Sequence, residues 1–218
     1  MLCITVLLSH NLLKRVIKIL KNMRTKIAIT GLPESNKTLL GKALSIVTGI
    51  PFIRNKTIYE WHKTFNISCF GNFEWKDMLL IATCSFFERL EVEKSFDTFI
   101  SDGTSLNELM CLKSNFACEN HNRVNELVSS FENASISYAV QQYDFVVHAK
   151  HDSIYDDYYT HLYRKYNIPY KVYNTTFLEN TLEEIVSDLY LPVVYEVNSS
   201  VYEAKNNLFL KNNLLTIK

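Results

Sequence analysis

The chain has 218 residues, enough for one α/β domain with a full core and tight for two. Apolar residues make up 47% and charged residues 21%, and 23 basic side chains match 23 acidic ones, so no surplus of positive charge draws the chain to nucleic acid. Five cysteines form no CxxC pair, which argues against a disulfide framework or a zinc knuckle and for reduced thiols in a cytoplasmic protein. His/Asp neighbours such as His151 and Asp152 lack metal-ligand spacing on a helix.

Met1 to Asn22 is apolar and basic. A secretory signal puts its positive residues first, whereas Lys14, Arg15, Lys18 and Lys21 follow or interrupt the apolar run. Leu2 to Leu8 is too short to span a bilayer, so no stable membrane insertion is expected. Leu12, Leu13, Val16, Ile17 and Leu20 share one helical face opposite the lysines, as in a weak membrane-surface helix. The plainer reading is a translated leader with the true start at Met23. On that reading 1–22 is an extension, 23–191 the domain and 192–218 a tail.

Lys26 to Thr30 (KIAIT) is a short apolar, β-branched run, the pattern of a buried central strand. Gly31-Leu-Pro-Glu-Ser-Asn-Lys37-Thr38 follows at once. Leu39, Leu40, Ala43, Leu44 and Val47 then recur at helical spacing. Strand, glycine turn, lysine-threonine and helix is the order of a phosphate-binding P-loop. Successive backbone N–H groups and a helix N-terminus would give a triphosphate fixed positive partners. The candidate binding residues are therefore Gly31, Pro33, Glu34, Ser35, Asn36, Lys37, Thr38 and Leu39. Lys37 would reach the β- and γ-phosphates of ATP, and the Thr38 hydroxyl would be a ligand of Mg²⁺. Asn36 stands where such loops have glycine. Asparagine tolerates a left-handed backbone, but its side chain is expected to crowd the phosphates.

The strand–helix rhythm continues. Gly49-Ile50-Pro51 ends the first helix, and Pro51 to Arg54 is predicted as a second strand. Trp75 to Lys94 is helical, with Trp75, Met78, Leu79, Ala82, Phe86 and Leu90 largely on one side. Asp97 to Ser101 is a third strand ending at Asp102-Gly103. Asn120 to Gln142 is helical, Tyr143 to Ala149 a fourth strand, Asp156 to Tyr166 helical and Ile168 to Tyr173 a fifth strand. Leu178, Leu182, Ile185, Val186 and Leu189 share a face of a last helix, and Val193 to Val197 is a possible edge strand. Alternating strands and helices imply a parallel sheet covered on both faces.

KIAITGLPESNKT, FDTFISDGT, YDFVVHAK and RKYNIPYKVYNTTFLENTLEEIVSDL, taken in order, resemble the P-loop kinase-like ATPases related to the ribosylnicotinamide kinase part of NadR-type proteins. More distantly they resemble nucleoside and nucleotide kinases. The resemblance covers about Arg24 to Leu189. It implies a three-layer P-loop NTPase fold, a parallel five-stranded sheet in the order 2-3-1-4-5, and ATP with Mg²⁺ at the loop. It also implies that Asp102, at the end of the third strand, contacts the Mg²⁺ shell or accepts the proton of a substrate hydroxyl. Strand ends beside a phosphate loop are where functional side chains gather in open α/β sheets. The other use of Asp102-Gly103 is a plain turn. The arginines that this family carries after the fourth strand are missing: residues 150–157 are acidic, and Lys150 and Arg164 are the nearest cations.

Arg54 faces an acceptor site or is a surface arginine, and Trp61 and His62 line an acceptor pocket or pack a loop. The tyrosines Tyr155, Tyr158, Tyr159, Tyr163 and Tyr166 lack the basic flanks of a base-stacking groove and read as packing. No G-x-S-x-G elbow is present. The expected partners are a nucleotide and a small-molecule acceptor, and the expected function is phosphoryl transfer from Mg-ATP to a nucleoside-like hydroxyl or phosphate. The alternatives are a nucleotide-binding regulator or degenerate kinase, and an α/β protein that binds a partner and no nucleotide.

Overall fold

The structure, a computed structural model, describes residues 25–32, 35–67, 75–116, 122–151, 154–194 and 201–204. The extension 1–22, Met23, Pro33, Glu34, Asp152 and the tail beyond 194, apart from 201–204, lie outside the described residues.

Along the described chain run β1 (Lys26–Thr30), α1 (Lys37–Thr48), β2 (Phe52–Ile53), α2 (Ile58–Phe65), α3 (Trp75–Lys94) and β3 (Phe99–Asp102). Then come α4 (Ser105–Phe116), α5 (Asn122–Gln142), β4 (Phe145–Ala149), α6 (Ile154–Lys165), β5 (Tyr170–Tyr173) and α7 (Leu178–Asp188). The strands form one parallel sheet in the order β2-β3-β1-β4-β5, as expected. Parallel neighbours need crossover connections, and here the crossover helices cover both faces. Side chains alternate along β1. Ile27 and Ile29 pack with Leu40, Leu44, Leu182 and Ile185 of α1 and α7. Ala28 belongs to the opposite core, with Phe86, Leu109, Phe131 and Tyr163 of α3, α4, α5 and α6. Both cores are apolar, which is why β1 reads as an unbroken apolar run.

Several local expectations are corrected. Helices α2 and α4 were not anticipated. The start of α2 is a capping box: Thr57 Oγ1 accepts from Glu60 N at 3.2 Å, and Glu60 Oε2 accepts from Thr57 N at 2.8 Å. At the start of α4, Thr104 N donates to Asn107 Oδ1 at 2.8 Å and Leu106 N to Thr104 Oγ1 at 3.2 Å. β2 is shorter than Pro51 to Arg54, and β3 runs past Ser101 to include Asp102. The expected edge strand does not begin at Val193: residues 191–194 carry no strand, and Val194 N donates to Val47 O of α1 at 2.7 Å. Tyr195 to Val197 lie outside the described residues.

Candidate functional site

Strand register assembles the site. Ile29 pairs with Asp102 and Thr30 with His148, so β1, β3 and β4 end nearly in step. Gly31 leaves β1 with φ 137°, and a Cβ there would lie 2.5 Å from Ser35 Oγ and 2.6 Å from Ala149 O. Both backbone and space therefore demand glycine.

Beyond Gly31 the loop closes on the Leu32 carbonyl. Ser35 N donates to it at 3.1 Å, Ser35 Oγ at 2.7 Å and Lys37 Nζ at 3.4 Å. Asn36 sits in the left-handed region at φ 58°, ψ 14°, with no side-chain cap bond, and immediately precedes α1. Asparagine thus supplies the geometry that glycine usually supplies, as its backbone tolerance suggested. Lys37, Thr38 and Leu39 form the first turn of α1, where backbone N–H groups lack intrahelical partners and favour an anion. Leu39 also packs its side chain on the α1/α7 core. Burial pushes the Lys37 ammonium below its ordinary pKa, against the opposing charge of Asp102. An anion placed beside it would favour the charged form again. Pro33 and Glu34 lie outside the described residues.

Thr38 Oγ1 donates to Asp102 Oδ2 at 2.8 Å, while Asp102 Oδ1 is buried with no hydrogen-bond partner among the described residues. A hydroxyl and a carboxylate converging beside the loop after β1 would suit Mg²⁺, which keeps most of its shell as water and phosphate oxygen and uses one or two protein oxygens. Among the described residues no group of three or more His, Cys, Asp or Glu forms a dedicated metal cage, and that chemistry needs none. Asn55, just after β2, donates to Asp102 O at 2.8 Å and to Ser101 Oγ at 3.2 Å, which holds the end of β3 in place.

A cavity of about 350 Å³ opens here, and its wall joins Lys37, Thr38 and Asp102 to Arg89, Glu108 and Cys111. Met78, Ile81 and Ala82 of α3 give it an apolar side. Arg89 is only 2% exposed. Its NH1 lies 3.0 Å from Gly103 O, 3.1 Å from Ser101 Oγ and 3.3 Å from Glu93 Oε1, and its NH2 lies 2.9 Å from Glu108 Oε1. Burial alone would weaken its charge, but the Glu108 and Glu93 carboxylates raise its pKa well above the ordinary arginine value. Tyr138, Tyr143 and Ser101 donate to Glu93, and Ser85 donates to Glu108 Oε1. Glu108 Oε2 is buried with no hydrogen-bond partner among the described residues. Burial, helped by Glu108, pushes the Cys111 thiol up to about 12, so it is no thiolate nucleophile near neutral pH.

Behind the loop lies a second buried polar chain. Thr30 Oγ1 is 2.8 Å from Tyr163 OH and 2.9 Å from His148 Nδ1, and His148 Nε2 is 2.9 Å from Asp156 Oδ1. His151 N donates to Asp156 Oδ2 at 2.9 Å. Burial holds the His148 pKa down, against the hydrogen bond and charge of Asp156. The neutral ring, donating through Nε2 and accepting through Nδ1, satisfies every contact.

The structure brings the sequence candidates Ser35, Asn36, Lys37, Thr38 and Asp102 close together at the ends of β1 and β3. Arg54 instead pairs with Glu60 at 2.8 Å on the surface. Trp61 and His62 are buried in α2 and do not line the cavity. Arg89, Glu93, Glu108 and Asn55 had not been singled out. The signal for the first two was present: Ser85, Arg89 and Glu93 continue the buried face of Met78, Ala82 and Phe86 along α3.

The sheet order, the loop between β1 and α1, and the flanking helices define a three-layer P-loop NTPase fold. No family model matches the chain, and no curated protein matches it in sequence. Among solved structures, deoxyadenosine kinase from M. mycoides with bound dATP superposes with a TM-score of 0.56 at 15% identity, covering 76% of this chain and all of that one. The same kinase with the products dCMP and a flexible dCDP gives 0.55 at 16% identity, covering 76% and 99%. A sugar kinase from Janibacter sp. HTCC2649 gives only 0.35 at 11% identity, covering 78% and 96%. Among the described residues no helix is long and apolar enough to cross a membrane.

Proposed function

We propose that the protein is an ATP-dependent phosphotransferase acting on a small, nucleoside-like hydroxyl compound bound in the 350 Å³ cavity. The observation that carries this reading is one cavity wall holding both Lys37 of the loop after β1 and two buried carboxylate oxygens with no partner among the described residues, Asp102 Oδ1 and Glu108 Oε2. Buried acceptors left open cost free energy unless a ligand fills them. The loop amides and Lys37 bind and orient the triphosphate. Mg²⁺, held by Thr38 and Asp102, would neutralise phosphate charge. Asp102 Oδ1 receives a hydrogen bond from the acceptor hydroxyl. As that oxygen bonds to the γ-phosphorus and the bond to the ADP oxygen breaks, the hydroxyl proton passes to the carboxylate. Glu108 Oε2 takes an N–H or O–H from the far part of the acceptor, so ribosylnicotinamide and the amino-bearing nucleosides belong in the first screen. Catalysis on this scheme is positioning plus charge stabilisation. The superposition on deoxyadenosine kinase supports the same reading.

One observation favours a second reading, a nucleotide-binding regulator. Arg89 is the arginine of the cavity wall, and its guanidinium is committed to Glu93, Glu108, Ser101 and Gly103. Residues 150–157 add no arginine to replace it.

The test is thermal stability with and without Mg-ATP in the natural chain and Lys37→Ala, followed by ADP release with each acceptor. A ligand at a hundred times its dissociation constant adds about 2.7 kcal/mol. The expected result is a shift in the natural chain, none in Lys37→Ala, and ADP release that depends on acceptor. Binding without turnover on any acceptor selects the regulator, and no shift in either protein removes both readings.

A further inference from the structure

Charge on the cavity wall does not balance. Lys37, Lys56 and Arg89 are its cations, and Asp102 and Glu108 its carboxylates. Lys56 Nζ lies 2.7 Å from Glu88 Oε1, so its charge is matched from outside the wall. Lys37 is drawn to Asp102, which supports its ammonium against burial. Arg89 faces two carboxylates, Glu93 and Glu108. Glu93 is fully buried and well supplied: Arg89 NH1, Ser101 Oγ and Tyr143 OH donate to its Oε1, and Tyr138 OH to its Oε2. One guanidinium does not neutralise two carboxylates, and Glu108 is the one left short. Its Oε1 accepts from Arg89 NH2 and from Ser85 Oγ, each at 2.9 Å, while its Oε2 is buried with no partner among the described residues. The residue as a whole is only 8% exposed. It stands in the first turn of α4, where a helix N-terminus offers roughly half a positive charge. That favours the carboxylate but falls short of a full counter-charge.

We propose that the cavity takes an amino alcohol, whose primary ammonium group pairs with Glu108 Oε2, and that it rejects phosphorylated acceptors. This rests on the reading of the cavity as the acceptor site. A carboxylate oxygen accepts and does not donate, so its partner must bring an N–H or O–H. An ammonium group brings the proton and the missing charge together, and a hydrogen bond between charged groups is stronger than a neutral one. A ring cation without N–H would supply the charge and leave Oε2 unbonded. A phosphate on the acceptor would add negative charge beside Asp102 and Glu108. Arg89 Nε is buried with no partner among the described residues, but it belongs to a guanidinium whose charge Glu93 and Glu108 already hold. That N–H suits a neutral oxygen or nitrogen of the ligand. Met78, Ile81 and Ala82 offer an apolar surface to the body between the hydroxyl at Asp102 and the ammonium at Glu108.

The experiment measures binding to the full chain of matched pairs in which an ammonium replaces a hydroxyl: aminomethyluridine and hydroxymethyluridine, glucosamine and glucose, tyramine and tyrosol. Uridine monophosphate is the phosphorylated probe. In every pair that binds, the ammonium member should be tighter by roughly tenfold, the step from a neutral to a charged hydrogen bond. Uridine monophosphate should not displace it. In Glu108→Gln, which keeps the shape and loses the charge, the preference should vanish while the hydroxyl members bind as before. Hydroxyl members that bind as tightly as their ammonium partners in the natural chain overturn the proposal, whether or not Glu108→Gln folds. So does a preference that survives in Glu108→Gln, a uridine monophosphate that displaces the bound amine, or a failure of all three pairs to bind. The Mg-ATP shift is read separately. A chain that binds Mg-ATP and ignores the ammonium loses this inference and keeps the phosphotransferase reading. A chain that prefers the ammonium but shows no Mg-ATP shift keeps the amine site and loses phosphoryl transfer.

Discussion

In the proposed site, a phosphate side and an acceptor side are built from different materials. The phosphate side is backbone: a glycine at φ 137°, a carbonyl ringed by three donors, an asparagine in the left-handed region and the first turn of α1. The acceptor side is side chain: Arg89 and Glu93 from α3 and Glu108 from α4, brought together across the end of β3. A backbone site is nearly complete before any ligand arrives, because its donors are fixed by the chain's own path. A side-chain site exists only while the helices that carry it stay packed. The first tolerates changes of side chain and fails on changes of φ; the second does the reverse.

The largest expected effect breaks the acceptor side. Arg89→Met keeps most of the volume but leaves Glu93 and Glu108 buried without their cation. Removing one partner of a buried ion pair costs about 3–5 kcal/mol. Urea unfolding should report a loss of that size, and the folded fraction should still bind Mg-ATP. Glu108→Gln sharpens the point. It keeps the shape and removes one buried charge, so it should cost much less stability while lowering turnover with amino-bearing acceptors. If Arg89→Met unfolds no more easily than the natural chain, the cluster contributes shape alone and the contrast between the two sides falls.

A smaller effect tests the support beneath the backbone side. His148 is held neutral in the fold, with a pKa below its ordinary value of 6.5. Below about pH 6.5 the unfolded chain therefore binds a proton that the folded chain refuses. Stability from this group is fully present above that pH and is lost as pH falls toward the folded-state value, by at most about 1.4 kcal/mol per pH unit. The measurement is the unfolding midpoint from pH 7.5 to 5.0 in the natural chain and in His148→Gln, which keeps a donor toward Asp156 but does not titrate. The natural chain should lose stability faster below pH 6.5. Parallel profiles would mean that the chain Tyr163–Thr30–His148–Asp156 takes the proton without strain.

The same division of materials explains what could be read in the sequence. Gly31, Asn36, Lys37 and Thr38 are neighbours in the chain, so their order carried the geometry, and even the left-handed Asn36 followed from backbone preference. The sheet order came with the resemblance, and the five strands came from apolar runs that must be buried on both faces. Asp102 was legible because it ends a strand beside the loop. Arg89 and Glu108 were not, since 19 residues and a strand separate them and neither belongs to a motif. Their meeting depends on how α3 and α4 cross β3. Helix α4 itself was passed over because Ser105 to Phe116 has only a blurred apolar period, being buried on more than one side. Helix α2 does carry a local signal, because Thr57-x-x-Glu60 is a capping signature.

The smallest expected effect falls on the backbone side, where substitution without a change of φ should matter least. Asn36 is exposed, adopts φ 58° and makes no side-chain cap bond. Asn36→Gly keeps the left-handed backbone at no steric cost but gives the unfolded chain more freedom, and those terms oppose each other. Stability should stay within about 0.5 kcal/mol, as for surface changes that touch no buried partner. Affinity is the informative readout. If the loop amides and Lys37 hold the triphosphate, removing a side chain from the rim gives the phosphates more room, and Mg-ATP should bind more tightly. Weaker binding in Asn36→Gly would show the Asn36 amide to be a phosphate partner in its own right. The phosphate side would then no longer be a backbone site alone, and the contrast with the acceptor side would be one of degree.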